Sequence, residues 1–283
     1  MIEPLMRCAI ADLQTNMTLS SWTSVRRLAS MLAIIAPLAP LSAHATNWIV
    51  TVGGGAGVSP PYEGAGHDIL QPLLTFNLRR ANSPYRFLPP DGGSTFGLIS
   101  TRHFVFGPMI RFRYPRGDTG HLLGLDKIST AYEPGAFAEV WPVNWLRLRA
   151  EGRYGLGAYN GPVGDAAIDL IYTGRTWDFS VGPRYGYGGT RYMDTYFGVT
   201  PLEAARSPLI KTAYEPGQGE RYLGVEVAVA HNWTHRVKTT LAMGYHRLAR
   251  QAADSPVVQV AGSPNDYSAG VTVSYSFGLK IGR

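Results

Sequence analysis

Residues Tyr267 to Ile281 read Y-S-A-G-V-T-V-S-Y-S-F-G-L-K-I. Taken by twos, Tyr267, Ala269, Val271, Val273, Tyr275, Phe277, Leu279 and Ile281 fall on one side. Ser268, Gly270, Thr272, Ser274, Ser276, Gly278 and Lys280 fall on the other. A strand sends successive side chains to opposite faces, so the stretch predicts a strand with one apolar, aromatic face and one small, polar face. Soluble sheets show such alternation too. Here the apolar set carries aromatics towards both ends, the pattern of a strand crossing a bilayer between two aromatic girdles.

The same alternation recurs outward along the chain. Phe104, Phe106, Pro108, Ile110, Phe112 and Tyr114 oppose Arg111 and Arg113; Leu146, Leu148, Ala150, Tyr154 and Leu156 oppose Arg147, Arg149, Glu151 and Arg153. Trp177, Phe179, Val181 and Tyr185 oppose Asp178, Ser180, Gly182 and Arg184, and Leu223 to Val229 and Val237 to Tyr245 alternate likewise. These segments run about ten to twelve residues, beyond the five or six usual in soluble sheets and matched to a tilted bilayer crossing. In lipid every backbone group needs a partner, so such strands must close into a barrel.

Strands are predicted near 47–57, 69–79, 84–90, 92–101, 104–114, 131–141, 145–156, 164–174, 177–188, 221–232, 236–247 and 267–278. The fold class is therefore all-β, a transmembrane antiparallel barrel of about twelve strands, with ten or fourteen as the alternatives. An even count places both termini on the periplasmic side. Short turns at Thr101–His103, Pro142–Asn144, Gly174–Thr176 and Trp233–His235 alternate with longer loops at 115–130, 157–163, 189–220 and 248–266. That is the asymmetry of outer-membrane barrels, with short periplasmic turns and long external loops. Within 189–220, Thr200-Pro201-Leu202-Glu203 reads as a helix start with a capping box, so a short helix is expected in this external loop.

Ahead of the barrel, Arg26-Arg27, the apolar run Leu28 to Leu41 and Ala43-His44-Ala45 read as a signal peptide, with cleavage expected after Ala45. The organisation is then 1–45 leader and 46–283 barrel, in a protein of the Gram-negative outer membrane. The single cysteine, Cys8, lies in the leader, which leaves no thiol chemistry to the mature chain. The formal net charge is +6, but the basic residues are scattered without a Lys/Arg run, which argues against nucleic acid.

Charges on the polar faces form the most telling set. Arg111, Arg113, Arg147, Arg149, Arg153 and Arg184 are expected to face inward with Glu133, Glu139, Glu151, Asp169, Asp178 and Glu226. Charge removed from water is expensive, so these side chains must pair across strands or line a wet pore; a mostly filled lumen is the favoured reading. Enzymatic sets are weak by comparison. His246 and Ser268 lack a G-x-S-x-G context, and His67, His121, His231 and His235 lack metal-site spacing. Gly53-Gly54-Gly55-Ala56-Gly57 lacks the Lys-Ser/Thr of a phosphate loop. No catalytic residue, cofactor or metal is expected. Ala-Tyr-Glu-Pro-Gly occurs at 131–135 and 213–217 and reads as common turn chemistry.

Several segments also carry a family resemblance: Pro61-Tyr62-Glu63-Gly64, Tyr196-Phe197-Gly198-Val199-Thr200 running into Pro201 to Ser207, Tyr245-His246-Arg247-Leu248, and Ala253-Asp254-Ser255-Pro256-Val257-Val258. Together with the closing Tyr-x-Phe strand they resemble the MltA-interacting protein (MipA/OmpV) family of outer-membrane proteins, over nearly the whole mature chain. The resemblance implies a non-enzymatic barrel acting as a scaffold for peptidoglycan-remodelling enzymes, a murein hydrolase (lytic transglycosylase) and a synthase (penicillin-binding protein), with outer-membrane lipid around it. A narrow passive channel, and adhesion or ligand capture by the external loops, are the alternatives. Tyr275 and Phe277 are expected to form the assembly signal, although this chain continues past them through Gly278 to Arg283, and Leu279 and Ile281 keep the outward register.

Overall fold

In the computed structural model, residues 48–90 and 93–279 are described; the leader, the expected cleavage after Ala45 and the last four residues lie outside them. Twelve strands occur: β1 (Trp48–Ser59), β2 (Ile69–Arg80), β3 (Ser94–Phe96), β4 (Ile99–Ser100), β5 (Phe104–Arg113), β6 (Ala131–Val143), β7 (Leu146–Gly155), β8 (Gly161–Thr173), β9 (Trp177–Gly188), β10 (Gly219–Asn232), β11 (Val237–Leu248) and β12 (Asn265–Leu279). From β5 to β12 each strand pairs antiparallel with the next, and β12 returns to β1 with Trp48 opposite Leu279. β1 pairs with β2, β2 with β3, and β3 with β5, which closes the ring. Eleven strands form the barrel, and β4 lies outside it, paired with β5 alone.

Strand β7, L-R-L-R-A-E-G-R-Y-G, shows why the barrel sits in lipid. Arg147 is 0% exposed and Arg153 4%, while Leu148 is 36% exposed and Tyr154 46%. This is a soluble strand turned inside out: charge points into the ring and apolar side chains point out of it. Each Val, Leu or Phe left in water forfeits about 1.5–3 kcal/mol, so a whole belt of them favours hydrocarbon.

The expected strand near 84–90 is absent, and the one near 92–101 is reduced to β3 and β4. Pro84, Pro89 and Pro90 remove three of the N–H donors that a wall strand must supply to the ladder. The chain turns at Arg80, whose carbonyl accepts from the Ser83 N–H at 3.1 Å. It then passes inside the ring, where Phe87, 2% exposed, packs with Trp141, Ile171, Ala228 and Ala230. Because this reverse pass is made in the lumen, β3 enters the wall in the same direction as β2, with Asn77 opposite Thr95 and Leu78 opposite Phe96 in parallel. That one parallel pair lets an odd ring bring both ends of the wall to one rim.

The opposite rim is covered. Helices α1 (Thr190–Phe197), α2 (Pro201–Arg206), α3 (Arg250–Ala253) and α4 (Pro256–Ala261) lie in the β9–β10 and β11–β12 loops, and Gly120–Leu122 adds one 3-10 turn in the β5–β6 loop. Helix α2 starts as its sequence predicts: the Thr200 hydroxyl accepts from the Glu203 N–H, and the Glu203 carboxylate accepts from the Thr200 N–H at 2.8 Å. Tyr192, Met193, Tyr196 and Phe197 of α1 pack with Tyr159, Tyr222, Leu248 and Val258, and a second cluster gathers Leu122, Leu125, Val199, Ile210 and Val257. These loops have a core of their own and stand as a plug in the external mouth.

Candidate functional site

The plug and the wall meet in a continuous ionic network. At the external end, Arg113 pairs with Glu63 at 3.1 Å and with Glu133. Arg221 also holds Glu63, and reaches Asp165 at 2.5 Å. Arg153 meets Glu133 at 2.9 Å together with Glu151 and Asp165. Deeper, Arg111 lies 3.0 Å from Glu151, and Arg149 joins Glu151 at 2.7 Å to Glu139. Arg147 links Glu139 at 3.3 Å to Asp169 at 2.6 Å, and Arg184 links Asp169 at 2.9 Å to Glu226 at 3.1 Å. Seven guanidiniums thus face seven carboxylates, a balance that lets these charges stay out of water.

Of the twelve charges expected inward, eleven join this network; Asp178 stands apart near the periplasmic rim, bound by Lys238 at 2.6 Å and Asn232 at 3.2 Å. Tyr85 of the lumenal pass also donates to Asp178, at 3.3 Å, so the pass is tied to the wall. Three members of the network escape a reading by sequence. Asp165 shares the inward register of Asp169, and counting by twos would have found it. Arg221 sits at a bulge where the β9–β10 register shifts between Glu220 and Tyr222, which breaks that count. Glu63 lies in the 60–68 loop, where no period applies, although it belongs to the Pro61-Tyr62-Glu63-Gly64 segment.

Glu63 is the hinge between plug and network. Besides its two arginines it accepts from the Tyr192 hydroxyl at 3.0 Å. Burial works to raise its carboxyl, but Arg221 and Arg113 outweigh that and hold it below its ordinary value. Burial, followed by the nearby Glu63, pushes the Tyr192 hydroxyl well up, so it remains a donor. Nearby, Ser255 donates to the Phe197 carbonyl at 2.5 Å and caps α4 through the Val257 N–H at 3.2 Å. The segments around Phe197 and Ser255, far apart in sequence, therefore meet in the plug. Ser255-Pro256 carries the same start signal as Thr200-Pro201, and reading it would have located α4.

The other half of the lumen is different. Thr240, Ala242 and Gly244 of β11 and Ser268, Gly270, Thr272, Ser274 and Ser276 of β12 face the arginine wall across a cavity of about 1570 Å³. It reaches the periplasmic turns at Gly174–Thr176 and Trp233–Arg236. The weighed enzymatic pair does not form: Ser268 stands opposite Gly244, while His246 lies 3.4 Å from Glu226 and stacks on Tyr222 at 4.4 Å. Among the described residues no group of three or more His, Cys, Asp and Glu could hold a metal ion. The glycines of β1 serve the wall: a Cβ at Gly55 would come within 1.9 Å of the Val271 carbonyl oxygen. The repeated pentapeptide takes two unlike settings, with Glu133 buried in β6 and Glu215 exposed in a loop.

The model of the family described as MltA-interacting protein MipA matches residues 52–277. No curated protein matches the chain. Among solved structures, the NanC porin is similar at 12% identity and a TM-score of 0.39, covering 80% of this chain and 98% of that one. The COG4313 outer membrane channel from Pseudomonas putida F1 is similar at 10% identity and 0.40, covering 86% and 100%. The outer membrane protease OmpT from Escherichia coli gives 10% and 0.33, covering 85% and 99%.

Proposed function

The chain belongs to the MltA-interacting protein MipA family, and from that membership we propose that this outer-membrane barrel is a non-enzymatic scaffold that holds a murein hydrolase at the inner face of the membrane. A murein synthase is its second client in this reading. Export by the leader, with cleavage after Ala45, delivers it there.

The observation that carries the reading is the contrast between the rims. The external mouth is occupied by packed loops, whereas the periplasmic rim is bare and rich in contact-forming side chains. Trp145 and Trp233 are 58% and 64% exposed in the turns there, with exposed Arg102, Arg175 and Arg236 beside them. Trp and Arg dominate the energetics of protein interfaces. The turns are short, so the docking surface is a flat ring and not a projecting domain.

The test is co-purification of the detergent-solubilised mature chain with a purified membrane-bound murein hydrolase, with and without crosslinking. A complex is expected for the native chain, weakened when Arg175 and Arg236 are both changed to Glu. Failure to capture the hydrolase even after crosslinking contradicts the scaffold.

A further inference from the structure

The ionic network leaves a remainder at the periplasmic end of the lumen. Nine Arg and Lys side chains line the cavity against Glu151, Asp165 and Glu226. Arg111, Arg147, Arg149 and Arg184 are matched within the network, and Lys238 is matched by Asp178. The other four are Arg79, Arg86, Arg175 and Arg236, and among the described residues none of them forms an ion pair. Arg79 stands one residue short of the periplasmic end of β2, Arg86 is on the lumenal pass, and Arg175 and Arg236 are exposed in the short turns. Arg79 donates to the Ser83 carbonyl at 3.2 Å and Arg86 to the Arg102 carbonyl, so both are bound by neutral groups. Arg79 and Lys238 lie 5.9 and 5.0 Å from the centre of the Tyr85 ring, which brings these two cations together. A recess lined by one sign of charge raises the local concentration of ions of the other sign.

The wall beside these cations carries hydroxyls and an amide in register. Thr75 of β2 is opposite Gly53 of β1, Gly53 is opposite Ser274 of β12, and Ser274 is opposite Lys238 of β11. Nearer the periplasm, Asn77, Thr51 and Ser276 form a second row in the same three strands. Thr75, Ser274, Asn77, Thr51 and Ser276 all line the cavity. Gly53 sets the wall back between them, since it carries no side chain. Unmatched cations beside rows of neutral hydrogen-bonding groups suit a ligand with both carboxylates and many hydroxyls; a simple anion would use the cations alone. At about 1570 Å³ the cavity exceeds the roughly 300–1,000 Å³ of a small-molecule pocket, which leaves room for more than one sugar ring. We propose that the periplasmic half of the lumen is a binding pocket for a carboxylate-bearing saccharide. Packed loops cover the external mouth and the cavity reaches the periplasmic turns, so the ligand enters from the periplasm. Arg175 and Arg236 meet it at the entrance, Arg79 and Arg86 hold its carboxylates, and the two rows take its hydroxyls. Free acidic sugars and fragments of peptidoglycan share this chemistry.

Isothermal titration calorimetry of the mature chain in neutral detergent tests the proposal. The probes are cellobiouronic acid, a disaccharide-tetrapeptide fragment of peptidoglycan, neutral cellobiose and inorganic phosphate. One acidic saccharide per chain is expected to bind, with cellobiose and phosphate at least about tenfold weaker. Tighter binding of the peptidoglycan fragment assigns the pocket to murein, and tighter binding of cellobiouronic acid assigns it to free acidic sugars. Arg79→Gln should weaken binding about tenfold, the scale of one charge-assisted hydrogen bond. Retained heat-modifiable gel mobility checks that this variant folds. Arg80→Gln, the next residue and outward on the same strand, should leave binding unchanged. Ser274→Ala provides a second test and should weaken the saccharide while leaving phosphate unchanged. No binding of either acidic saccharide, or cellobiose held as tightly, would overturn the site. Equal losses in the Arg79 and Arg80 variants would mean diffuse charge attraction and overturn it too. Phosphate held as tightly as the saccharides would mean a simple anion site and overturn the saccharide assignment.

Discussion

Arg153 is held inside the ring by Glu133, Glu151 and Asp165. Removing its charge leaves six guanidiniums to balance seven carboxylates in a space that excludes most water. Breaking a buried pair in this way costs about 3–5 kcal/mol, far above the 0–1 kcal/mol of an exposed pair. Arg153→Met is therefore expected to lower the urea midpoint of the refolded barrel strongly, and adding Glu133→Gln should recover part of the loss. A midpoint unchanged in Arg153→Met would mean that the network contributes nothing to stability. Glu63 makes a second argument, through pH. Its folded carboxyl lies below its ordinary value of 4.5. Its contribution is then complete above about pH 4.5 and is lost as pH falls through the depressed folded value. Proteolysis of the 189–218 loop should stay slow from pH 7 to 5 and accelerate below 4. Glu63→Gln, having lost the contribution already, should show a smaller acid response. At this scale, sequence revealed only charges that obey the period of two. Arg221 and Glu63 were hidden by a bulge and a loop, where facing is set by tertiary contacts.

Among the elements, the long strands were legible because lipid on one side and charge on the other enforce strict alternation, as in β7 and β12. The pass at 81–90 was not. Its Tyr85, Phe87 and Pro89 alternate like a strand, but what decides its place is the missing N–H groups of its prolines and the apolar pocket around Trp141. Helix α2 was legible through its cap, whereas α1 forms without a side-chain cap, on the packing of Tyr192, Met193, Tyr196 and Phe197. β12 makes a prediction of its own. Tyr275 and Phe277 stack on its outer face at 6.1 Å, opposite Val52 and Val50 of β1. If this aromatic pair is the assembly signal, deletion of Gly278 to Arg283 leaves heat-modifiable gel mobility and membrane recovery unchanged. Loss of folded barrel in that deletion would assign the signal to the last residues.

For the whole molecule, the claim is a barrel whose external mouth is covered by packed loops and whose cavity reaches the periplasmic turns. Packed loops with their own apolar cores stand over an ionic network, and the remaining cavity of about 1570 Å³ reaches the periplasmic turns. On the scaffold reading proposed above, a protein so built acts through its surfaces and not through passage of solute. The most direct measurement is a planar-bilayer recording of the purified mature chain. The account predicts no stable single-channel steps from the native chain, and steps once residues 189–218 are replaced by a short Gly-Ser turn. Stable steps from the native chain would contradict it.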